Sequence, residues 1–448
     1  NIGGSVGKKG DNKRADVRVV QNLLKEKDNA PLKGSGICGP RTIKAIKKFQ
    51  TKVGIIGGGP AGSVTSLFLS KHKMPHILVV RKQFPRDKVC GESFDGRVVH
   101  ILNELSPSYL NEMEEKGIIV KSWKYSVSTA KDSVDIDFPT HNTPRILTQR
   151  LHFDNYLIQE AKKSPYAQII EGEYINETVY TDNHIILKSK NIAIQAEIGI
   201  VAAGAFSKLS QHKGLDDDIY LIERTYYKSI PSIGNKVEIY FLRKPIKGYL
   251  YVCPAGGELF NVSLYTHKKE FKKQKQKMSV SLQDALNVYP EVKKRIEQAE
   301  VAVKPKGTYI SFREKKINSI AGNRLINVGS SAFSINTITG AGVGNAMTMA
   351  KIISEEIATH QNDVDFVKKV SQNYQTRANK KLKSLVKTSV FLNFFMNNMR
   401  FFEPFLGVLS KTKSFQRAMH QSNLVSNVTN FKYHIKNFYY TYFQKKEG

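Results

Sequence analysis

Three glycines, Gly57, Gly59 and Gly62, form a G-x-G-x-x-G turn inside 52-KVGIIGGGPAGSVTSLFLSKHKMPHILVVRK-82, with Ala61 in the same turn. The first glycine permits a tight bend, the second lets backbone approach a pyrophosphate, and the third lets helix and strand pack closely. The helix that follows would turn its free N–H groups toward the phosphates. The apolar run Val53–Ile56 suits a buried parallel strand, and a second strand follows the helix on schedule. In that context the glycines read as a dinucleotide-binding fingerprint. Metal-ligand spacing, a P-loop and a Ser-His-Asp arrangement are missing from the sequence. Cys38, Cys90 and Cys253 are too few for a disulfide framework, and their odd number fits a reducing compartment.

The elements that must position these residues belong to a chain of 448 residues, which at ~100–200 residues per domain gives two to four domains or one large one with additions. Hydrophobic residues make up 40%, enough for a sizeable core, and this excludes wholesale disorder. Lys and Arg number 69 against 39 acidic residues, a net charge of +30. Segment 1–50 carries 12 basic and 4 acidic residues, and segment 361–448 carries 15 and 4, so the excess is spread along the chain. Such a balance attracts anionic lipid, cell-wall polymers, an acidic carrier or nucleic acid. Nucleic acid is disfavoured, because no binding motif accompanies the charge. No stretch reaches the ~18 apolar residues of a membrane span. The chain begins at Asn1, which leaves a leader segment an open question.

Within residues 1–50, Asp16 is expected to cap a helix bearing Val17, Val20, Leu23 and Leu24. A turn-rich loop follows over 28–40. A second helix opens at Thr42, with Ile43, Ile46 and Phe49 on one stripe. The blocks SVGKKGDNKRADVRVVQNLL and SGICGPRTIKAIKKFQ resemble the peptidoglycan-binding-like domain over nearly all of 1–50. Ser35 stands where that family usually has Asp. The resemblance implies either binding of cell-wall glycan or docking to another partner.

Four later blocks come in a telling order: 84-FPRDKVCGES-93, 150-RLHFDNYLIQEA-161, 198-IGIVAAGAFSKL-209 and 324-RLINVGSSAFSINTITGAGVGNAMTMAKIISEEI-357. Together with the glycine turn they resemble, over about 51–360, the geranylgeranyl-reductase-like branch of the FAD-dependent flavoproteins that include aromatic hydroxylases and flavin-dependent halogenases. The resemblance implies FAD as cofactor and NAD(P)H as co-substrate. Gly57, Gly59 and Gly62 then lie by the FAD pyrophosphate and Arg81 near the adenosine half. Cys90 and Gly91 lie by the isoalloxazine, and Arg150 reaches toward the cofactor. Gly340 and Gly342 lead a helix toward the pyrimidine end, where its N-terminus would favour negative charge on reduced flavin. Segment 248-GYLYVCP-254 resembles the G-Y-x-W-x-F-P strand that roofs the substrate side, with Tyr251 for Trp and Cys253 for Phe.

Two departures bear on the cofactor. Val80 occupies the position of the acid that accepts the adenosine ribose hydroxyls, and Gly329-Ser330 replaces a Gly-Asp whose Asp holds the ribityl chain. Thr337 also stands where a proline is common. A lost charge-assisted hydrogen bond costs ~1.5–3 kcal/mol, so FAD is expected to be weakly held, exchangeable or absent. The charges of Arg81 and Lys82 would alternatively suit another phosphate-bearing ligand.

Strands are expected over 236–242 and 257–266, giving an antiparallel sheet with one face over a ligand. The basic run 267–277 reads as a solvated face. The aromatic, basic C-terminal segment, with Phe391, Phe394, Phe395, Met399 and Phe402, reads as a helical cap or an interfacial membrane contact. Trp123 is the only tryptophan, which excludes the W-x-W-x-I-P motif of tryptophan halogenases, although 91-GES-93 resembles a halogenase segment.

The expected architecture is α/β: a Rossmann-like FAD-binding domain over 51–360 interleaved with an antiparallel β substrate domain (about 216–319), preceded by a small all-α module (1–50) and followed by a helical region (361–448). The expected function is an FAD-dependent oxidoreductase, reductase or monooxygenase in type, acting on a hydrophobic lipid- or carrier-borne substrate. The alternatives are a degenerate flavoprotein-fold binding protein addressed by residues 1–50, or a flavin-dependent halogenase. The expected location is cytoplasmic, at a membrane surface or free, with the cell envelope or export as the alternative.

Overall fold

The computed structural model describes residues 6, 13–28, 37, 50–131, 133–137, 140, 143–210, 219–244, 247–274, 278–311, 320–332 and 342–397. The helix expected from Thr42, Cys38, Gly340, Thr337 and the segment beyond Asn397 lie outside the described residues, as do the side chains of Phe391, Phe394 and Phe395. Helix α1 (Arg14–Asp28) begins two residues before Asp16. Asp16 therefore does not cap it but stands in its first turn, where a carboxylate still favours the positive end of the helix dipole.

The first sheet takes its order from buried, β-branched strands. β1 (Gln50–Ile56) runs parallel between β2 (His76–Val80) and β11 (Ala193–Val201), with Val53 opposite Ile198 and Ile55 opposite Ile200. β8 (Ala167–Glu171) extends the parallel sheet beyond β2, and β17 (Leu325–Asn327) pairs parallel with the end of β11. β10 (Ile185–Lys188) and β9 (Glu177–Tyr180) add an antiparallel hairpin on the other half of β11. Helix α2 (Pro60–Lys71) packs on one face of this sheet with α5 (Arg150–Lys162), α9 (Val343–His360) and α3 (Gly96–Leu105). Val64, Phe68, Phe153, Met347 and Ile353 fill that core. The opposite face holds a separate core built on Ile77, Val79, Ile194 and Leu187.

Helix α10 (Phe366–Asn397) is not a detached tail, since Phe366, Val370, Tyr374 and Ala378 are buried in the same core as α2. Tyr374 Oη donates to the carbonyl of Asn327 at 2.7 Å, satisfying a buried hydroxyl. Among the described residues, no helix is long and apolar enough to cross a membrane.

The second sheet has the order β16-β12-β15-β14-β13-β5-β6. It consists of β16 (Glu300–Ser311), β12 (Ile219–Lys228), β15 (Leu259–His267), β14 (Gly248–Pro254), β13 (Lys236–Leu242), β5 (Lys124–Ser128) and β6 (Ser133–Asp137). The expected insertion thus supplies most strands, but β5 and β6 come from upstream, and β5 pairs parallel with β13. The added strands cover the edge that β13 would otherwise leave unpaired. The strand expected over 236–242 is β13, and both of its faces are covered. Helices α7 (Met278–Asn287) and α8 (Pro290–Glu297) close the outer one around Leu282, Leu286 and Val292. There the buried Glu238 is paired with Arg295 at 2.7 Å. Helix α6 (Lys268–Gln274) carries the start of the basic run. A small third sheet joins β3 (Ser93–Phe94), β7 (Arg145–Leu147) and β4 (Val120–Ser122).

Candidate functional site

The glycine turn follows β1 and leads directly into α2. Gly57 has φ +106°, and its N–H donates to the carbonyl of Val79 at 2.8 Å. A Cβ on Gly62 would stand 1.7 Å from the carbonyl oxygen of Gly57, so only glycine allows the helix to start this close to the turn. Gly59 caps α2 with Pro60 at its first turn. Among the described residues, a Cβ there would meet only the Arg86 guanidinium, at 3.6 Å. The space over Gly59 is therefore a cradle for a phosphate, with a helix N-terminus below and an arginine at its edge.

A second helix N-terminus converges on the first. Gly329, at φ +67°, opens the short turn Gly329–Ala332, and its Cβ would fall 2.9 Å from Ala61 Cβ on α2 and 3.0 Å from Ala346 Cβ on α9. Ser330 lies in that turn beside both helix starts. Gly342 caps α9, accepting from the N–H of Ala346 at 2.9 Å. Asp95 seals the junction by accepting from Arg97, which also reaches Asn345. Burial works against the Asp95 charge, but these Arg97 bonds hold its carboxyl below the usual range.

Arg150 does not stand free. Its guanidinium is buried on Asp154 in a two-bond pair of 2.7 and 2.6 Å, and Arg86 shares the same carboxylate at 2.9 Å. Burial opposes the Arg150 charge, yet Asp154 raises its affinity for a proton above the ordinary value. Arg81 stands at the outer end of β2 with its guanidinium over the Tyr174 ring at 4.7 Å.

The loop carrying Cys90 and Gly91 is where the two sheets meet. Glu92, next in sequence, is fully buried at φ +60°. Its carboxylate accepts from Tyr226 Oη at 2.5 Å, Asn261 Nδ2 at 3.0 Å, Arg224 at 3.3 Å and the Arg150 N–H at 3.0 Å. Burial pushes this carboxyl up to about 7, against the pull of Arg224 and the hydrogen bonds. Asn261 also donates to the Cys90 carbonyl at 2.9 Å, and the Cys253 thiol faces the Gly91 carbonyl at 3.6 Å. Above this loop the second sheet presents Tyr249, Tyr251 and Tyr265 with Ile222 and Phe241. Tyr249 and Tyr265 stack with centroids 4.6 Å apart. The result is a buried aromatic wall packed against the loop.

Of the residues singled out in sequence, Gly57, Gly59, Ala61, Gly62, Ser330 and Gly342 come together around the two helix starts. Cys90 and Gly91 lie on the adjoining loop, Arg150 meets that loop from the start of α5, and Arg81 stands apart at the strand end. Sequence reading missed Arg86, Glu92, Asp154, Arg224, Tyr226, Asn261 and Tyr265. Only the Arg150–Asp154 spacing of four along a helix was a usable signal.

Residues 50–185 match the model of the FAD binding domain family. The chain is 21% identical over 331 residues to a menaquinone reductase of Mycobacterium tuberculosis, covering 67% of this chain and 75% of that protein. It is 23% identical over 342 residues to digeranylgeranylglycerophospholipid reductase 2 of Methanosphaera stadtmanae, covering 73% and 82%. The solved flavin-dependent brominase Bmp2 superposes with a TM-score of 0.69 at 17% identity, covering 87% of this chain and 99% of that one. The protein is of the flavin-dependent oxidoreductase type, with an FAD-binding domain. The open cradle at Gly59 and the paired helix starts fit that cofactor. Gly57, Gly59 and Gly62 would hold its pyrophosphate, and the Ser330 turn with α9 its ribityl and pyrimidine end.

Proposed function

We propose that the protein is an FAD-dependent oxidoreductase acting on a hydrophobic, lipid- or carrier-borne substrate, with NAD(P)H as reductant. When bound, FAD would supply two-electron transfer, and the Cys90–Glu92 loop would hold its ring. The observation that carries the reading is the tyrosine wall of the second sheet lying over that loop. Tyr249, Tyr251 and Tyr265 orient an apolar substrate and exclude water, while the Glu92 bonds to Tyr226 and Asn261 hold the wall and loop in register. A menaquinone-like or digeranylgeranylglycerophospholipid-like lipid, the kinds of molecule after which the two relatives are named, is within this reading. The net charge of +30 favours delivery from an anionic membrane surface or an acidic carrier, and residues 1–50 would serve docking.

The test is the absorption spectrum of the purified protein, followed by anaerobic addition of NADPH. Flavin bands that bleach support the proposal. A second reading, a flavoprotein fold that binds without turnover, is favoured by Val80, which offers no acceptor at the end of β2. A colourless protein that refuses added FAD overturns the first reading and supports the second.

A further inference from the structure

The Val80 side chain cannot accept a hydrogen bond, but the strand next to it ends in a carboxylate. In the parallel pairing of β2 with β8, the partner of Val80 is Glu171, the last residue of β8. Paired residues of neighbouring strands point to the same face of a sheet. Val80 points at the glycine turn, since a Cβ on Gly58 would stand 2.8 Å from Val80 Cγ2. Glu171 shares that face. Phe84 spans the gap, its ring 3.2 Å from the same Gly58 position and its N–H on Glu171 Oε2 at 3.3 Å.

The Glu171 carboxylate is held by one ion pair and one long hydrogen bond. Among the described residues, Oε2 accepts only that long bond from Phe84, and Oε1 pairs with Lys162 Nζ at 3.0 Å without hydrogen-bond geometry. Glu173, two residues on, is in contrast occupied by Ser189 Oγ at 2.6 Å and Asn191 Nδ2 at 3.0 Å. Beside Glu171, the exposed Tyr174 ring carries the Arg81 guanidinium, a flat cationic face at the same strand ends.

From this register we infer that Glu171 binds the adenosine ribose of FAD, taking from the adjacent strand the role that Val80 leaves vacant, with Arg81 and Tyr174 flanking the adenine. Glu171 Oε2 accepts the ribose hydroxyls. The assignment rests on the flavin reading above and adds to it which side chain selects the adenosine half.

The experiment titrates the apoprotein with FAD and with FMN, which lacks adenosine, following flavin fluorescence in wild type, Glu171→Gln and Val80→Glu/Glu171→Gln. Losing one charge-assisted bond predicts FAD affinity in Glu171→Gln lower by roughly tenfold or more, with FMN affinity and melting temperature unchanged. The added Val80→Glu change recovers FAD binding. Glu171→Gln binding FAD as wild type does, or losing FAD and FMN equally, overturns the assignment. Wild type binding neither flavin overturns the flavin reading itself, and this assignment with it.

Discussion

A methyl group on Gly91 would stand 2.1 Å from Tyr265 Oη, so the loop and the tyrosine wall touch through a hydroxyl laid on bare backbone. Gly91→Ala is expected to push the wall off the loop and destabilise the protein by about 1–3 kcal/mol, as overpacking does. Removing the hydroxyl in Tyr265→Phe makes room, leaving the ring carbon at 3.3 Å. The double variant should then recover most of the loss, which chemical denaturation of the four proteins of this cycle measures. Additive losses would mean that the two groups do not meet.

Glu223 supplies a pH dependence of known sign. It is buried on β12, neither carboxylate oxygen has a hydrogen-bond partner among the described residues, and burial pushes its carboxyl up to about 7. Its folded value lies above the ordinary 4.5, so the folded state holds the proton more tightly than the unfolded chain. The stability this proton provides is fully present below pH ~4.5 and is lost as pH rises through ~7, amounting to about 2–3 kcal/mol between pH 5 and 8. Glu92 titrates in the same direction, so the wild type carries both contributions. Glu223→Gln should flatten the stability–pH curve and raise the melting temperature at pH 8 relative to wild type. Parallel curves for the two proteins would show that the carboxyl is not the source.

What could be read from sequence follows the distance between partners. The glycine turn was legible because Gly57, Gly59 and Gly62 act within one strand–turn–helix unit. The strand 248–254 was legible because the short run GYLYVCP itself resembles the G-Y-x-W-x-F-P strand. Glu92 was not, because its anchors Tyr226 and Asn261 arrive from β12 and β15 and only the folded sheet brings them to it. Glu171 was hidden for the same reason. Residues 81–170 separate it from Val80, and parallel pairing leaves no local mark of which strands will be neighbours. The alternation along β13 marked it as a strand, although periodicity does not report what covers each face.

Asp154 neutralises two arginines at once. Its side chain is fully buried between Arg150 and Arg86, whose own side chains are 6% and 15% exposed. Asp154→Ala leaves both guanidiniums without their carboxylate, and removing one partner of a buried pair costs about 3–5 kcal/mol. Urea denaturation should show a loss of that size, and Asp154→Asn should lose nearly as much while keeping the shape. A change under about 1 kcal/mol would mean that solvent already compensates the pair.

The glycine turn separates folding from cofactor binding at two positions three residues apart. In Gly62→Ala the new methyl falls 1.7 Å from the Gly57 carbonyl, backbone against backbone, and neither side can yield without moving α2 off β1. That variant should lose thermal stability and flavin together. In Gly59→Ala the nearest atom is an Arg86 nitrogen at 3.6 Å, an ordinary contact, so the chain should fold with its melting temperature nearly unchanged. The methyl nevertheless occupies the cradle where backbone must approach the pyrophosphate. FAD affinity should therefore fall by about tenfold or more in Gly59→Ala, read by flavin fluorescence titration of a protein with wild-type circular dichroism. Equal FAD affinity in Gly59→Ala and wild type would place the phosphates elsewhere.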